Sequence, residues 1–225
     1  MKIVFFDLDH TLLDFDKCEK IALFKTIECD LEVFDSIYKE YKKINDDLWR
    51  EFEKQSSFIK IEELKVLRFK KLIQKFSFEF DEKILAEKYL HFLSEQGYIY
   101  DGAIKMLERI QNKYKIYAIT NGFYDVQIKR VSEAKISKFF EKLITSEEVG
   151  YKKPDIEIFK YALNVAGINN PKDAIMIGDK FEADIIGAKN AGMDVIWYNT
   201  KSLELKDKTI KIAKNYEDII KILEV

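Results

Sequence analysis

The stretch Ile3-Val4-Phe5-Phe6-Asp7-Leu8-Asp9-His10-Thr11 decides how this chain is read. A continuously apolar run of this length, not an alternating one, reads as a strand buried on both faces. It runs directly into two carboxylates two residues apart. Asp7 and Asp9, both delivered to the end of a buried strand, repel each other unless a cation or a shared proton relieves them. The plainer alternative is that one of them caps a turn, as Asp after a strand commonly does.

Working outward, similar runs recur at Ile116–Ile119, Ala174–Ile177 and Val195–Tyr198, with a weaker one at Lys142–Thr145. Helical patterns lie between them, over Asp101–Tyr114, Phe123–Ala134, Asp155–Ala166 and Phe181–Ala191. Strands alternating with helices of this length imply right-handed crossovers, and hence an α/β fold with a doubly wound parallel sheet. Asp155 suits an N-cap, and Gly167 and Gly192 fall where helices should stop.

Residues 16–96 break the rhythm. Asp16–Glu95 contains neither Pro nor Gly and carries helical spacing such as Leu64, Leu67, Ile73 and Phe76. It reads as an all-helical insertion, with 1–15 and 97–225 forming the sheet-bearing core. Entering after the acidic loop and leaving near Gly97–Gly102, the insertion is expected over the carboxyl end of the first strand, where open parallel sheets bind ligands.

Composition narrows the function classes. Of the 225 residues 47% are hydrophobic and 35% charged, the balance of a folded globular chain. Lys+Arg 38 against Asp+Glu 40 leaves no overall positive field to draw nucleic acid or anionic lipid. The Lys-rich stretch Lys201–Lys214 also carries Glu204 and Asp207 and reads as a solvated face. No segment approaches membrane-spanning length, and Ile3–Phe6 is too short for a signal peptide's apolar stretch. Cys18 and Cys29 read as reduced thiols on a helical segment, which fits a cytoplasmic compartment.

Three more fragments fall at strand ends. Ala174–Ile177 leads into Gly178-Asp179-Lys180-Phe181-Glu182-Ala183-Asp184, a second acidic pair; capping would explain Asp179 alone but not acidic pairs at two strand ends. Ile116–Ile119 ends in Thr120-Asn121-Gly122, which is either an ordinary turn or a phosphate cradle built from a hydroxyl and backbone N–H groups. Lys153 stands before Pro154 and a helix start, its backbone biased to an extended shape.

Taken in order, Asp7-x-Asp9-x-Thr11, Thr120, Lys153 before Pro154, and Gly178-Asp179-x-x-x-x-Asp184 resemble the four motifs of the haloacid dehalogenase-like (HAD) hydrolase superfamily along the whole chain. The helical insertion resembles that superfamily's cap of the first type. Thr120-Asn121-Gly122-Phe123, Ser146-Glu147-Glu148-Val149-Gly150 and the run from Asn190 to Asn199 are similar to the branch of 5'-nucleotidases acting on pyrimidine and non-standard nucleoside monophosphates.

The resemblance implies a phosphatase in which Asp7 attacks phosphorus and Asp9 serves as acid, then base. It implies Mg²⁺ held by Asp7, the Asp9 main-chain carbonyl and Asp179, with Asp184 orienting Lys153 or a metal-bound water. Thr11, Thr120, Asn121, Gly122 and Lys153 would bind the phosphoryl group of a small phosphomonoester. His10 reads as a bystander and His91 as a surface or helix-packing residue. Phe15, Asp16 and Trp49 are candidates for the pocket that chooses the leaving group, with packing or capping the favoured reading of each. Within the superfamily a sugar phosphatase or phosphomutase shares these residues, whereas dehalogenases lack an acid at the Asp9 position. A catalytically silent protein would be expected to have lost Asp7, Asp9 or Asp179. The sequence leaves monomer and homodimer open.

Overall fold

A computed structural model describes residues 2–54, 56–204 and 207–224. Six strands form one sheet in the order β3-β2-β1-β4-β5-β6. They are β1 (Lys2–Phe6), β2 (Tyr114–Thr120), β3 (Phe140–Thr145), β4 (Ala174–Gly178), β5 (Asp194–Tyr198) and β6 (Lys211–Ala213). Every neighbouring pair is parallel. This is the doubly wound parallel sheet the sequence implies.

The continuous apolar character of β1 has a direct structural reason. Val4 and Phe6 pack into one buried cluster with α5 (Ala103–Ile110) and α10 (Tyr216–Leu223). Ile3 and Phe5 point the opposite way, into a cluster with α8 (Ile156–Val165). Successive strand residues face opposite sides, so a strand with helices on both faces must be apolar at every position.

α1 (Phe15–Ile27), α2 (Leu31–Glu53), α3 (Ile61–Phe76) and α4 (Glu82–Ser94) enclose a third core that includes Leu23, Tyr41, Phe69 and Tyr89. α6 (Tyr124–Glu133) touches two of the cores: Val126 joins the core of α1 to α4, and Val131 joins that of α5 and α10. Among the described residues no helix is long and apolar enough to cross a membrane.

Several expected boundaries shift. The helix expected over Asp101–Tyr114 ends at Ile110, and Tyr114 pairs with Lys2 as the first residue of β2. The helix expected over Phe181–Ala191 opens as a wider π-type turn over Phe181–Ile186 before α9 (Gly187–Asn190). Cys18 is buried in α1, but Cys29 lies past its end, and both thiols are free. The Lys-rich stretch holds a short edge strand, β6, whose three residues are too few to show a pattern; Leu205 and Lys206 of the stretch lie outside the described residues. Asp155 caps α8 through Glu157 N, as its place before the apolar stretch implies.

Inside the helical core, Glu19 is fully buried and accepts 2.6 Å from Asn45 Nδ2, while Asn45 Oδ1 accepts from Arg68. Burial pushes the Glu19 carboxyl up to about 7, against the attraction of Lys42. A carboxyl raised on folding is protonated more readily in the folded chain, so stability falls as pH climbs from about 4.5 to about 7 and stays low above it. That interval corresponds to roughly 3 kcal/mol. Glu19→Gln should therefore raise the urea midpoint at pH 8 and leave it nearly unchanged at pH 4.5; an equal effect at both would contradict the assignment.

Candidate active site

The ends of three adjacent strands place the sequence-derived residues together. Phe6 pairs with both Ala118 and Ile177, so β1, β2 and β4 finish nearly level, and Asp7 N extends the ladder with a 2.9 Å bond to Ile177 O. Asp7 and Asp179 stand just past the ends of β1 and β4, and Thr120 is the last residue of β2. This rim lies beside the point where the sheet reverses its winding, at β1 and β4.

Lys153 sits at the centre. Its Nζ lies 2.6 Å from Asp7 Oδ1, 2.6 Å from Asp184 Oδ1 and 2.8 Å from Ile119 O. The side chain is 3% exposed, so these contacts and not water satisfy the ammonium. Burial works against its charge, but Asp184 and Asp7 hold it protonated. Its backbone is fixed as tightly: Lys153 N donates 2.7 Å to Asn121 Oδ1, and Asn121 Nδ2 donates 3.0 Å to Lys153 O.

Asp184 occupies a fully buried position with both oxygens engaged, one by Lys153 and the other by the Lys180 N–H at 2.9 Å. The wider π-type turn brings it there, and Gly178 makes room. A Cβ on Gly178 would fall 2.2 Å from Asp184 Oδ2. Asp179 is held from β5 by Trp197 Nε1, which donates 2.9 Å to its carbonyl.

The cluster carries an excess of negative charge. Oxygens of Asp7, Asp179 and Asp184 come within 4.8 Å of one another around a single buried lysine. Burial, and then repulsion from Asp184, push Asp179 up to about 7. Asp7 is raised as well, chiefly by burial, although Lys153 opposes it. An all-oxygen donor set that is over-charged when ionised suits a hard divalent cation. Asp7 and Asp179 line the cavity and are placed to hold one.

Thr11 is fully buried, with its hydroxyl 3.4 Å from Asp7 Oδ2 and 3.4 Å from Asp179 Oδ1. It braces the carboxylates from behind and is absent from the cavity lining, so the phosphate contact expected of it is not where the side chain points. Asp9 does face the cavity, but its carboxylate is turned towards α6. Oδ1 lies 2.6 Å from Arg130 Nη1, and Oδ2 accepts 2.8 Å from Gln127 Nε2. Gln127 Nε2 also reaches Thr120 Oγ1 at 2.9 Å.

Neither Gln127 nor Arg130 stands out by motif. The available signal was two polar residues on the inward stripe of α6, beside the buried Val126 and Val131. The helical core supplies other unforeseen groups. Glu53 of α2 pairs with Lys180 at 2.5 Å, and Asn121 Nδ2 lies 3.4 Å from the same carboxylate. Phe15, Asp16 and Trp49, read from sequence as packing or capping, also line the cavity. It encloses about 980 Å³ between α2 and the sheet rim, ample for a nucleotide-sized ligand. His10 borders it without belonging to the acidic cluster, and His91 is exposed beside Glu95.

A family model described as haloacid dehalogenase-like hydrolase matches residues 1–192. Pyrimidine 5'-nucleotidase PynA of Streptococcus pneumoniae is 35% identical over 99% of this chain and 95% of its own length. Pyrimidine 5'-nucleotidase YjjG of Escherichia coli is 32% identical over 89% of this chain and 87% of its own. The magnesium-bound crystal structure of the HAD-hydrolase YfnB from Bacillus subtilis superposes with a TM-score of 0.88 at 30% identity, over 100% of this chain and 99% of that one.

The tight fit of Gly178 against Asp184 is directly testable. Gly178→Ala should destabilise the fold by about 1–3 kcal/mol through overpacking and displace Asp184 from Lys153. Thermal unfolding reads the first effect; an unchanged midpoint would mean that the turn yields freely.

Proposed function

The chain belongs to the haloacid dehalogenase-like hydrolases, and from that premise we propose that it is a Mg²⁺-dependent phosphatase of small phosphomonoesters, specifically a 5'-nucleotidase for pyrimidine nucleoside monophosphates. The observation that carries this reading is the buried Lys153 joined at 2.6 Å to both Asp7 and Asp184 beside Thr120 at one sheet rim. The names of its relatives supply the substrate class.

In this reading residues 1–15 and 97–225 form the catalytic core, and 16–96 the cap that chooses the leaving group. Asp7 is the nucleophile. Its carboxylate oxygen bonds to phosphorus in line with the ester oxygen, whose bond to phosphorus breaks. Asp9 gives a proton to the departing alkoxide. Water then attacks the aspartyl-phosphate, losing its proton to Asp9, and inorganic phosphate leaves as the Asp7 carboxylate is restored.

A phosphate dianion repels a carboxylate, so attack needs compensating positive charge and fixed donors. Lys153 supplies charge next to the nucleophile. Thr120 and the backbone N–H groups around Asn121 and Gly122 supply donors. Asp184 keeps Lys153 aimed. When bound, Mg²⁺, held by Asp7, Asp179 and the Asp9 carbonyl, would neutralise charge on the phosphoryl oxygens. Trp49 and the rest of the α2 wall face the leaving group, an aromatic ring suited to a nucleoside.

Hydrolysis with Mg²⁺ across nucleoside monophosphates, sugar phosphates and small organic phosphates should place dUMP, dTMP or a related pyrimidine monophosphate near the top. Sugar phosphates leading by a wide margin, with nucleotides inert, would overturn the nucleotidase assignment while leaving a phosphatase. Asp7→Asn should stay folded and lose turnover; a folded, fully active variant would exclude Asp7 as nucleophile. Calorimetry should find Mg²⁺ binding that tightens as pH rises towards 7 and levels off above it, because Asp179, pushed up to about 7, must release its proton to coordinate. Affinity independent of pH across that range, or retained in Asp179→Asn, would contradict this metal site.

A further inference from the structure

The grip of α6 on Asp9 lies outside the four motifs. Arg130 is 1% exposed, and its Nη1 reaches Asp9 Oδ1 at 2.6 Å and Gln127 Oε1 at 2.9 Å. Gln127 completes a ring by donating to Asp9 Oδ2 and lying 2.9 Å from Thr120 Oγ1. Both oxygens of Asp9 are thus held from one helix, and the same helix ties them to a hydroxyl placed for the phosphoryl group.

The guanidinium is anchored to both chain passages between the sheet and the helical core. Its Nε donates 3.3 Å to Gln96 O on the returning passage, and it lies 5.4 Å from the ring of Phe15 on the outgoing one. The returning passage runs flush against the end of α6. At Gly97 a Cβ would fall 2.3 Å from Ala134 N.

We propose that Arg130 and Gln127 are positioning residues that set the Asp9 carboxylate in register with Thr120 and with the cap linkers, so that its proton is delivered to the leaving oxygen. The proposal rests on the phosphatase reading above. A proton-transfer group must be held within hydrogen-bond reach of the oxygen it serves, and a carboxylate at the mouth of a cavity is otherwise free to rotate. An ionised carboxylate has about four lone-pair sites. α6 occupies one on each oxygen, which leaves others on the cavity side to carry the travelling proton. Because Arg130 also holds Gln96 O and Phe15, the placement of the acid follows the placement of the cap.

The test compares two substrates under Mg²⁺ in the full-length chain. Uridine 5'-monophosphate releases an alkoxide that needs a proton; 4-nitrophenyl phosphate releases a stable phenolate that does not. Comparing kcat/KM isolates the step in which the leaving group departs. For Arg130→Lys and Gln127→Leu, kcat/KM for the nucleotide should fall roughly tenfold to a hundredfold, part of the ~10²–10⁴-fold that a well-placed general acid contributes. The value for the nitrophenyl ester should stay within about threefold. Gln127→Leu carries the test alone if Arg130→Lys does not fold. Equal losses on both substrates would assign the pair a merely structural role, and wild-type values on the nucleotide would remove any role; either result overturns the proposal. A wild-type chain inert on both esters would overturn the phosphatase reading and this inference with it, a result distinct from an active wild type with unselective variants.

Discussion

The ion pairs of Lys153 organise the sheet rim. A lysine almost shut off from water is tolerable only where opposite charge meets it, and Asp7 and Asp184 do so at 2.6 Å each. Removing the lysine from such a buried set ordinarily costs about 3–5 kcal/mol, because the carboxylates stay buried and uncompensated. The geometry that surrounds Lys153 serves that need. Asn121 clamps its backbone, the π-type turn lowers Asp184 towards it, and Gly178 leaves the space. One lysine cannot balance Asp7, Asp179 and Asp184 together, and the residual negative charge gives the rim its demand for a cation.

The helical core above the rim does more than cover it. Glu53 descends from α2 to Lys180 and Asn121, and Lys152 Nζ lies 4.4 Å from the centre of the Phe52 ring. From below, α6 lends Val126 to the helical core and Arg130 to Asp9. Charged and aromatic groups therefore cross between the two layers at the cavity, so movement of one layer would be felt by groups that line it.

Much of this was legible in the sequence where a physical requirement left a local trace. Strands buried on both faces need unbroken apolar runs, and β1, β2, β4 and β5 carried them. A carboxylate delivered to a strand end needs compensation, so Asp7 and Asp179 could be placed at one rim before any coordinates. What escaped the sequence depends on long-range packing. β6 is three residues at a sheet edge, too short to show a period. Thr11 follows the acidic motif closely enough to suggest a phosphate contact, yet the turn buries it behind the carboxylates. Gln127 and Arg130 are ordinary helix residues until α6 is docked, and only then do they meet Asp9, more than a hundred positions away.

The central claim is covalent: the phosphoryl group passes through Asp7. Enzyme quenched in acid during turnover of a pyrimidine monophosphate with Mg²⁺, then reduced with borohydride, should contain homoserine at position 7 by tandem mass spectrometry. The same conversion at another carboxylate, or none while the nucleoside is released ahead of phosphate in a burst that matches the enzyme concentration, would contradict it.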